Sequence, residues 1–502
     1  MRIALVLGVV GQLLRRFSIA FLPPLLLALF DNELISAGEF AVAGLTTYGL
    51  STLAGLRFVR APVFHRAEAL AVVALTWAFV ALFGAIPYLF AGLSLADAYF
   101  ESMSGFTTTG ATVFTDFGAY GRALFLWRAM TQWFGGLGVI ALFVVVLPRL
   151  GIAGRQLFFA EASGAPGEAI SPQVRDSASR LWIVYTALTT FLIVLLMFAG
   201  MDFYTALLHS FTTMAAGGFS PNGASVAGYN NAAVEWILVV FMLLAGTSFT
   251  LQYRVFTGRY LGLFTDGEFM TYLSVTVIAS VLMGVVLADG IPSLELLRTT
   301  AFQSASLISS TGFASTDYNL WPDAARAVLV LVMLVGGCAG SAAGGPKVIR
   351  LLFVCKRVML ETTRVLHPRA VLPLRYKGRT IPDEIVRAVY VLVVLYMAGY
   401  FIFGLLTVLL GTDMITGFSA ALACLGNVGP GFGPTGPMGN FAGLSTPTKW
   451  LLSFAMWIGR LEIVTVVALF HPHVLRQLRW EDRDHPIRTT QLSSTRLEAR
   501  AR

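Results

Sequence analysis

Charge is the scarcest commodity in this sequence. Only 12% of its 502 residues are Asp, Glu, Lys or Arg, and 56% are hydrophobic. An ordinary soluble domain carries roughly twice that charge fraction, so a water-soluble globular class is excluded. Cysteine is almost absent. Cys338, Cys355 and Cys424 are odd in number and far apart, which rules out a disulfide framework and a cysteine-rich metal cluster. The six histidines are dispersed, so no spacing suggests a histidine-centred catalytic or metal site. No glycine-rich nucleotide loop follows a strand, and any nucleotide control must come from another chain. Lys and Arg are missing from three long stretches, 90–121, 201–235 and 411–448.

What is present is apolar length. Ala69–Ala96, Ala129–Pro148, Leu181–Met201, Phe269–Ala288, Ala327–Pro346 and Ala388–Thr412 contain no Asp, Glu, Lys or Arg. About 20 such residues cross the hydrocarbon core as a helix. Shorter runs at Phe17–Phe30, Phe40–Leu56, Trp236–Tyr253 and around Trp450–Phe470 bring the expected number of spans to ten. Ile3–Leu14 precedes Arg15 and Arg16, an order wrong for a cleavable signal peptide. It reads as a cytoplasmic or interfacial lead-in, with the first span starting near Phe17 and kinked at Pro23-Pro24.

The net charge of +8 follows the membrane and is not a nucleic-acid footprint. Arg57, Arg60 and Arg66 share one connection, and Arg149, Arg155, Arg175 and Arg180 share another. Basic residues crowd Lys347–Arg379, and the tail is basic again from Arg476. The positive-inside rule puts both termini in the cytoplasm and the Lys- and Arg-free loops outside.

Four segments align by eye: Leu95–Phe114, Met201–Pro221, Ser293–Thr316 and Thr412–Pro434. Each opens on a helix-capping residue (Asp97, Asp202, Ser293, Asp413), runs for about three helical turns, and breaks at glycine and small polar residues. Each stands between apolar spans. The expected architecture is an all-α polytopic membrane protein. Four span–pore-loop–span repeats surround one ion pore in pseudo-fourfold fashion, with two extra N-terminal spans. The expected divisions are 1–66 for the N-terminal spans, 67–150, 175–262, 266–366 and 380–474 for the repeats, and 475–502 for a cytoplasmic tail.

Non-helical backbone at membrane depth survives only where it lines a cavity. A ring of carbonyl oxygens from four such loops can be satisfied by a dehydrated cation. The expected filter residues are Thr108, Thr109 and Gly110; Ala216, Gly217 and Gly218; Ser310, Thr311 and Gly312; and Asn427, Val428 and Gly429. No carboxylate lies in these turns, which favours a monovalent over a divalent ion. The alternative for such glycines is close helix packing through small residues. Gly336–Pro346 holds five glycines and no charge, poor material for a continuous helix. Its Gly336, Gly337, Gly340, Gly344 and Gly345 fit a movable gate or, alternatively, a tight helix contact. Arg460 lies deep in the last span, where an arginine is costly and functional by default. It either raises a barrier in the permeation path or pairs with a neighbouring element, and Glu462, two positions on, is badly placed to be its partner. His209 reads as a hydrogen-bonded packing residue. Asp116 and Asp317 either gather cations at the mouth or are solvated loop charges. Lys347–Arg379 suits anionic lipid, a cytoplasmic partner, or plain positive-inside topology.

The motifs SMSGFTTTGAT, AAGGFSP, SSTGFAS and GNVGPGFGP, with GGCAGSAAGGPKVIR and GRLEI, resemble the Trk/Ktr/HKT superfamily of potassium transporters, most closely the TrkH type. The likeness runs from about Phe17 to His473. It implies potassium uptake across a bacterial inner membrane, with K+ as cargo and no covalent cofactor. It further implies a homodimer with one pore per subunit, a gating loop at 336–346, and a cytoplasmic nucleotide-binding regulatory subunit similar to TrkA. Pro346, and the absence of a hydroxyl at Ala215-Ala216, depart from the family pattern. Two other readings are a broken-helix secondary transporter for an organic solute and a sodium-coupled cation symporter. The former predicts two inverted repeats and charged ligands, against four same-direction units and neutral turns here.

Overall fold

The computed structural model describes residues 2–55, 66–141, 173–258, 261–288, 293–472 and 474. Arg57, Arg60, Arg149, Arg155 and the basic tail 475–502 lie outside them.

The chain begins with α1 (Ile3–Phe17), a single 3-10 turn, and α2 (Leu22–Phe30). Together they form one apolar stretch, Ile3–Phe30, long enough to cross a membrane. Ile3–Leu14 is therefore part of the first span and not a separate lead-in. Its Leu5, Val6, Val10 and Leu14 are buried, packed against α3 (Leu34–Gly55) and α4 (Arg66–Gly84). Pro23 and Pro24 fall in the first turn of α2, where missing N–H donors cost nothing.

Four repeats follow. The first is α4, a short α5 (Ile86–Phe90), the pore helix α6 (Leu95–Phe106) and α7 (Arg122–Ala141). The second is α8 (Gln173–Phe198), pore helix α9 (Phe203–Met214) and α10 (Ala232–Ala245), continued by α11 (Phe249–Phe256). After α12 (Leu261–Thr265), the third is α13 (Gly267–Leu287), pore helix α14 (Leu294–Ile308), α15 (Asp323–Met333) and, beyond an irregular loop, α16 (Val348–Leu366). A two-stranded hairpin pairs β1 (Arg375–Tyr376) with β2 (Arg379–Thr380), Arg375 opposite Thr380. The fourth repeat is α17 (Asp383–Leu409), pore helix α18 (Met414–Leu425), α19 (Thr446–Leu461) and α20 (Ile463–Leu469).

Each pore helix packs between its own two flanking helices. It also touches the inner helix of the preceding repeat: α7 on α9, α10 on α14, α15 on α18, and α19 back on α6. The last pairing closes the circle and gives the pseudo-fourfold arrangement.

Among the described residues five helices are long and apolar enough to cross a membrane, or up to seven when bent pairs are counted. Of the other expected spans, Phe40–Leu56 falls almost wholly within α3, Ala129–Pro148 runs past Ala141 to residues outside the described ones, and three are broken. Ala327–Pro346 is not one helix, because α15 ends at Met333 and a loop takes the second half. Trp236–Tyr253 turns by 107° between α10 and α11, and the last span turns by 106° between α19 and α20. The hinge of the latter is Glu462, with φ 64°.

Candidate functional site: four converging loops and the strand of chain beneath them

The pore helices start at polar caps. Asp202, Ser293 and Asp413 accept hydrogen bonds from the amides of Thr205, Leu296 and Thr416 at 2.9–3.0 Å. In the first repeat the cap is Ser94 and not Asp97: Ser94 Oγ accepts from the Asp97 amide, and its hydroxyl donates to the Asp97 carboxylate at 2.7 Å. The acid sits three residues in and holds the Ser94 hydroxyl in place.

All four helices end in one way. The residue after the C-cap takes left-handed backbone: Thr108 (φ 53°), Ala216 (54°), Ser310 (54°) and Asn427 (50°). The next amide reaches back to the helix, Thr109 to Ser104 O, Gly217 to Thr212 O, Thr311 to Ser306 O and Val428 to Ala423 O, at 2.8–2.9 Å. This is the Schellman closure. Glycine is the usual residue at its left-handed position, and L-residues there cost about 1–2 kcal/mol each. Two residues later the chain again has positive φ, at Gly110, Gly218, Gly312 and Gly429.

These glycines are where the loops meet. A Cβ on Gly110 would collide with the Gly217 carbonyl oxygen, one on Gly218 with Thr311 O, and one on Gly312 with Val428 O; one on Gly429 would stand 2.7 Å from Thr109 O. The relation runs loop 1 to 2 to 3 to 4 and back to 1. All four glycines line a single cavity, with Thr112, Phe219, Ser220 and Pro430 on its wall. The twelve expected filter residues are thus brought together. Thr108, Thr109, Ala216, Ser310, Thr311, Asn427 and Val428 are buried, yet among the described residues no protein donor reaches their carbonyl oxygens. At the matching position of the second loop, Gly217 O accepts from Gln132 Nε2 at 2.7 Å.

The segment Gly336–Pro346 packs against the third and fourth loops. Gly344 donates its amide to Ser310 Oγ at 2.6 Å, and a Cβ there would collide with Gly426 O. Gly337 abuts Gly246 O and the Ala343 side chain, and Gly336 faces the Gly344–Gly345 backbone. Gly336, Gly340 and Gly345 all have positive φ. Backbone hydrogen bonds tie the segment to the break between α10 and α11: Cys338 N to Gly246 O at 2.8 Å, Ala342 N to Ala245 O at 3.2 Å and Phe249 N to Gly340 O at 3.0 Å. Glu268 of α13 accepts from the Ala339 amide at 2.6 Å.

Arg460 is buried beside this segment. It donates to Ala342 O at 2.9 Å and to Gly135 O of α7 at 3.2 Å. Its partners are backbone carbonyls of two neighbouring elements, and no acidic group is among these contacts. Glu462 pairs instead with Arg350, at 2.7 Å. A second cavity is lined by Ala343–Lys347, Arg350, Tyr396, Asn427, Gly459, Arg460 and Glu462, so filter residue, loop and arginine share one space.

His209 packs edge-on against Tyr229 and beside Phe313. It bonds Thr205 O at 2.9 Å and Ser220 Oγ at 3.3 Å, as a packing residue should. Asp116 and Asp317 close turns onto the amides of Gly118 and Asn319 at 2.8 and 3.0 Å. Within Lys347–Arg379, Lys377 pairs with Asp266 at 2.6 Å.

Three features escaped the sequence reading. Arg128 and Glu101 form a buried ion pair at 2.8 Å, with Arg128 also donating to Ser220 O at 3.2 Å. Phe219 and Phe114 cover the guanidinium at 4.0 and 4.5 Å. Gln132 and Glu268 are the others. The signal was available, since each is a polar or charged residue in or at the start of a largely apolar helix. Among the described residues no cluster of three His, Cys, Asp or Glu could hold a metal ion, so carbonyl and hydroxyl oxygens are the ligand chemistry on offer.

A family model described as TrkH, cation transport protein, matches residues 64–475. The Trk system potassium uptake protein TrkH of Halomonas elongata is 36% identical over 489 residues, which is 95% of this chain and all of that protein. Its counterpart in Escherichia coli K12 is 35% identical, over 82% of this chain and 86% of the relative. The crystal structure of the potassium transporter TrkH from Vibrio parahaemolyticus superposes with a TM-score of 0.86 at 31% identity, covering 94% of this chain and all of that one. With converging loops, ring closure and family match in agreement over most of its length, this chain is a membrane-spanning member of the TrkH family of cation transport proteins.

Proposed function

We propose that the protein takes up potassium across a bacterial inner membrane through a filter built from the four loops. The observation that carries this reading is the closed glycine-to-carbonyl ring, together with buried carbonyls that no protein donor satisfies. Bare carbonyls at this depth cost several kcal/mol each. An alkali cation supplies what they lack, and the C-terminal ends of four converging helices add about half a negative charge each. The names of the Halomonas and Escherichia relatives support potassium as the cargo.

The gate in this reading is 336–346. It sits under the third and fourth loops and is fastened at one side by Arg460 and at the other by Glu268. Opening requires those hydrogen bonds to break. Both termini are cytoplasmic, the repeats follow the divisions given above, and the protein works as a homodimer. A cytoplasmic nucleotide-binding regulatory subunit drives the loop aside by pulling on the α16 and hairpin region.

Rubidium uptake into liposomes holding the purified protein tests the reading, with potassium, sodium and lithium as competitors. Uptake blocked by potassium far more strongly than by sodium is expected. Uptake indifferent to potassium would sink the proposal.

A further inference from the structure

The four loops do not carry the same side chains, and the differences fall at one register. The residue just before the filter glycine is Thr109, Gly217, Thr311 and Val428. In loops 1 and 3 it is a threonine whose hydroxyl shares a hydrogen bond with the C-cap hydroxyl two residues earlier. Thr107 and Thr109 stand at 2.8 Å, and so do Ser309 and Thr311. Those pairs stiffen the non-helical turn from behind. In loop 4 the buried Val428 fills its own space. Loop 2 has Ala215 and Gly217, so it has neither the hydroxyl pair nor a side chain.

That space is nevertheless filled. A Cβ on Gly217 would lie 2.6 Å from Gln132 Oε1 and 2.8 Å from its Nε2. The carboxamide of Gln132, from α7 of the preceding repeat, occupies the volume that Thr109 and Thr311 fill in their own loops. It also makes two hydrogen bonds to the turn. Nε2 donates to Gly217 O at 2.7 Å, and Oε1 accepts from the Phe219 amide at 3.1 Å. The two bonds bracket Gly218 on either side. Gly217 is absent from the positive-φ positions, so its lack of a side chain serves space and not backbone angle. Gln132 is fully buried, and it sits one turn beyond Arg128, whose guanidinium holds Ser220 O of the same loop.

We infer that Gln132 is a specificity-determining positioning residue, a surrogate side chain that the first repeat lends to the filter loop of the second. This rests on the filter reading proposed above. A carbonyl cage discriminates between alkali ions only while its oxygens keep their spacing or their number. Without Gln132, loop 2 has nothing behind Gly217, and its carbonyls can close around a smaller ion.

The test is rubidium uptake into liposomes, with potassium and sodium titrated as competitors, for four proteins: wild type, Gln132→Leu, Gln132→Ala, and Gln132→Ala combined with Ala215→Ser and Gly217→Thr. The last variant moves the chemistry of loop 3 into loop 2, in the space the glutamine leaves. Loss of two buried hydrogen bonds is expected to reduce the potassium-over-sodium preference about tenfold in the single variants. The triple variant is expected to return to within about twofold of wild type, which a merely structural role for Gln132 does not predict. Unchanged preference in both single variants overturns the inference, and so does a triple variant no better than Gln132→Ala. Should the leucine variant fail to assemble, the comparison between Gln132→Ala and the triple variant decides alone. Wild-type protein with no potassium preference overturns the filter reading itself, and this inference with it.

Discussion

Gly429 sits against the carbonyl of Thr109, closely enough that a Cβ would come within 2.7 Å of its oxygen. Residues 320 positions apart by number thereby close a ring begun by Gly110 and Gly217. The remaining members of that ring are tighter, and Gly312 is the most informative of them to change. Its φ is 79°, and a methyl group there would run into Val428 O and press on the Pro430 ring. Backbone strain alone is about 1–2 kcal/mol, and the collision adds to it. Gly312→Ala is expected to lower rubidium uptake by at least roughly tenfold. Gly284→Ala, in a helix with open space around it, should leave uptake as it is. Equal uptake by both variants would count against the ring.

Arg460 spends its guanidinium on two backbone carbonyls, one of them in the segment 336–346. A hydrogen bond from a charged donor is worth about 1.5–3 kcal/mol. Arg460→Ala releases Ala342 and takes a buried positive charge from beneath the loops. Uptake in the absence of any regulator should rise roughly tenfold. Rates at or below wild type in a well-folded variant would show that the arginine does not hold the pore shut. Deleting 336–345 should raise uptake further.

On its other side the segment 336–346 is held by Glu268, whose carboxylate accepts the Ala339 amide at 2.6 Å. Asp266, two residues earlier, pairs with Lys377 of the hairpin, so the hairpin turn and the segment 336–346 are fastened to the same end of α13. Glu268→Ala removes the acceptor and should also raise regulator-free uptake, by several-fold at roughly 1.5 kcal/mol per lost bond. The Arg460→Ala and Glu268→Ala effects should combine less than additively, because either release frees the same loop. Fully additive effects would indicate separate roles.

The sequence disclosed the repeat because cap, helix length and glycine break recur at one register, as Asp202, Ser293 and Asp413 illustrate. Its first member was misplaced by one turn: Ser94 and Asp97 are both good caps, and only the backbone shows which one is outside the helix. The converging loops were legible because left-handed turns leave a mark in glycine and small polar residues. Their supports were not. Gln132 acts on residues 85 positions away and Glu268 on one 71 positions away. Nothing in local periodicity links such pairs. The breaks within expected spans were hidden for a similar reason. Hydropathy registers apolar length, whereas the breaks at Gly246–Ser248 and Glu462 are matters of backbone angle.

The Glu101–Arg128 pair offers a test of stability apart from transport. Both side chains are buried, the ion pair is 2.8 Å long, and the carboxylate also accepts from the Val113 amide at 2.9 Å and from Thr112. Removing one partner of such a pair strands the other and costs about 3–5 kcal/mol, whereas replacing both with apolar residues is often near neutral. Arg128→Leu and Glu101→Leu should each lower the unfolding temperature in detergent clearly. The double variant should be markedly more stable than the sum of the two losses predicts. Because Arg128 also holds Ser220 O of the second loop, the double variant should recover stability without recovering wild-type ion preference. If preference returned along with stability, the pair would be a packing device only, with no part in setting the distance between the first two loops.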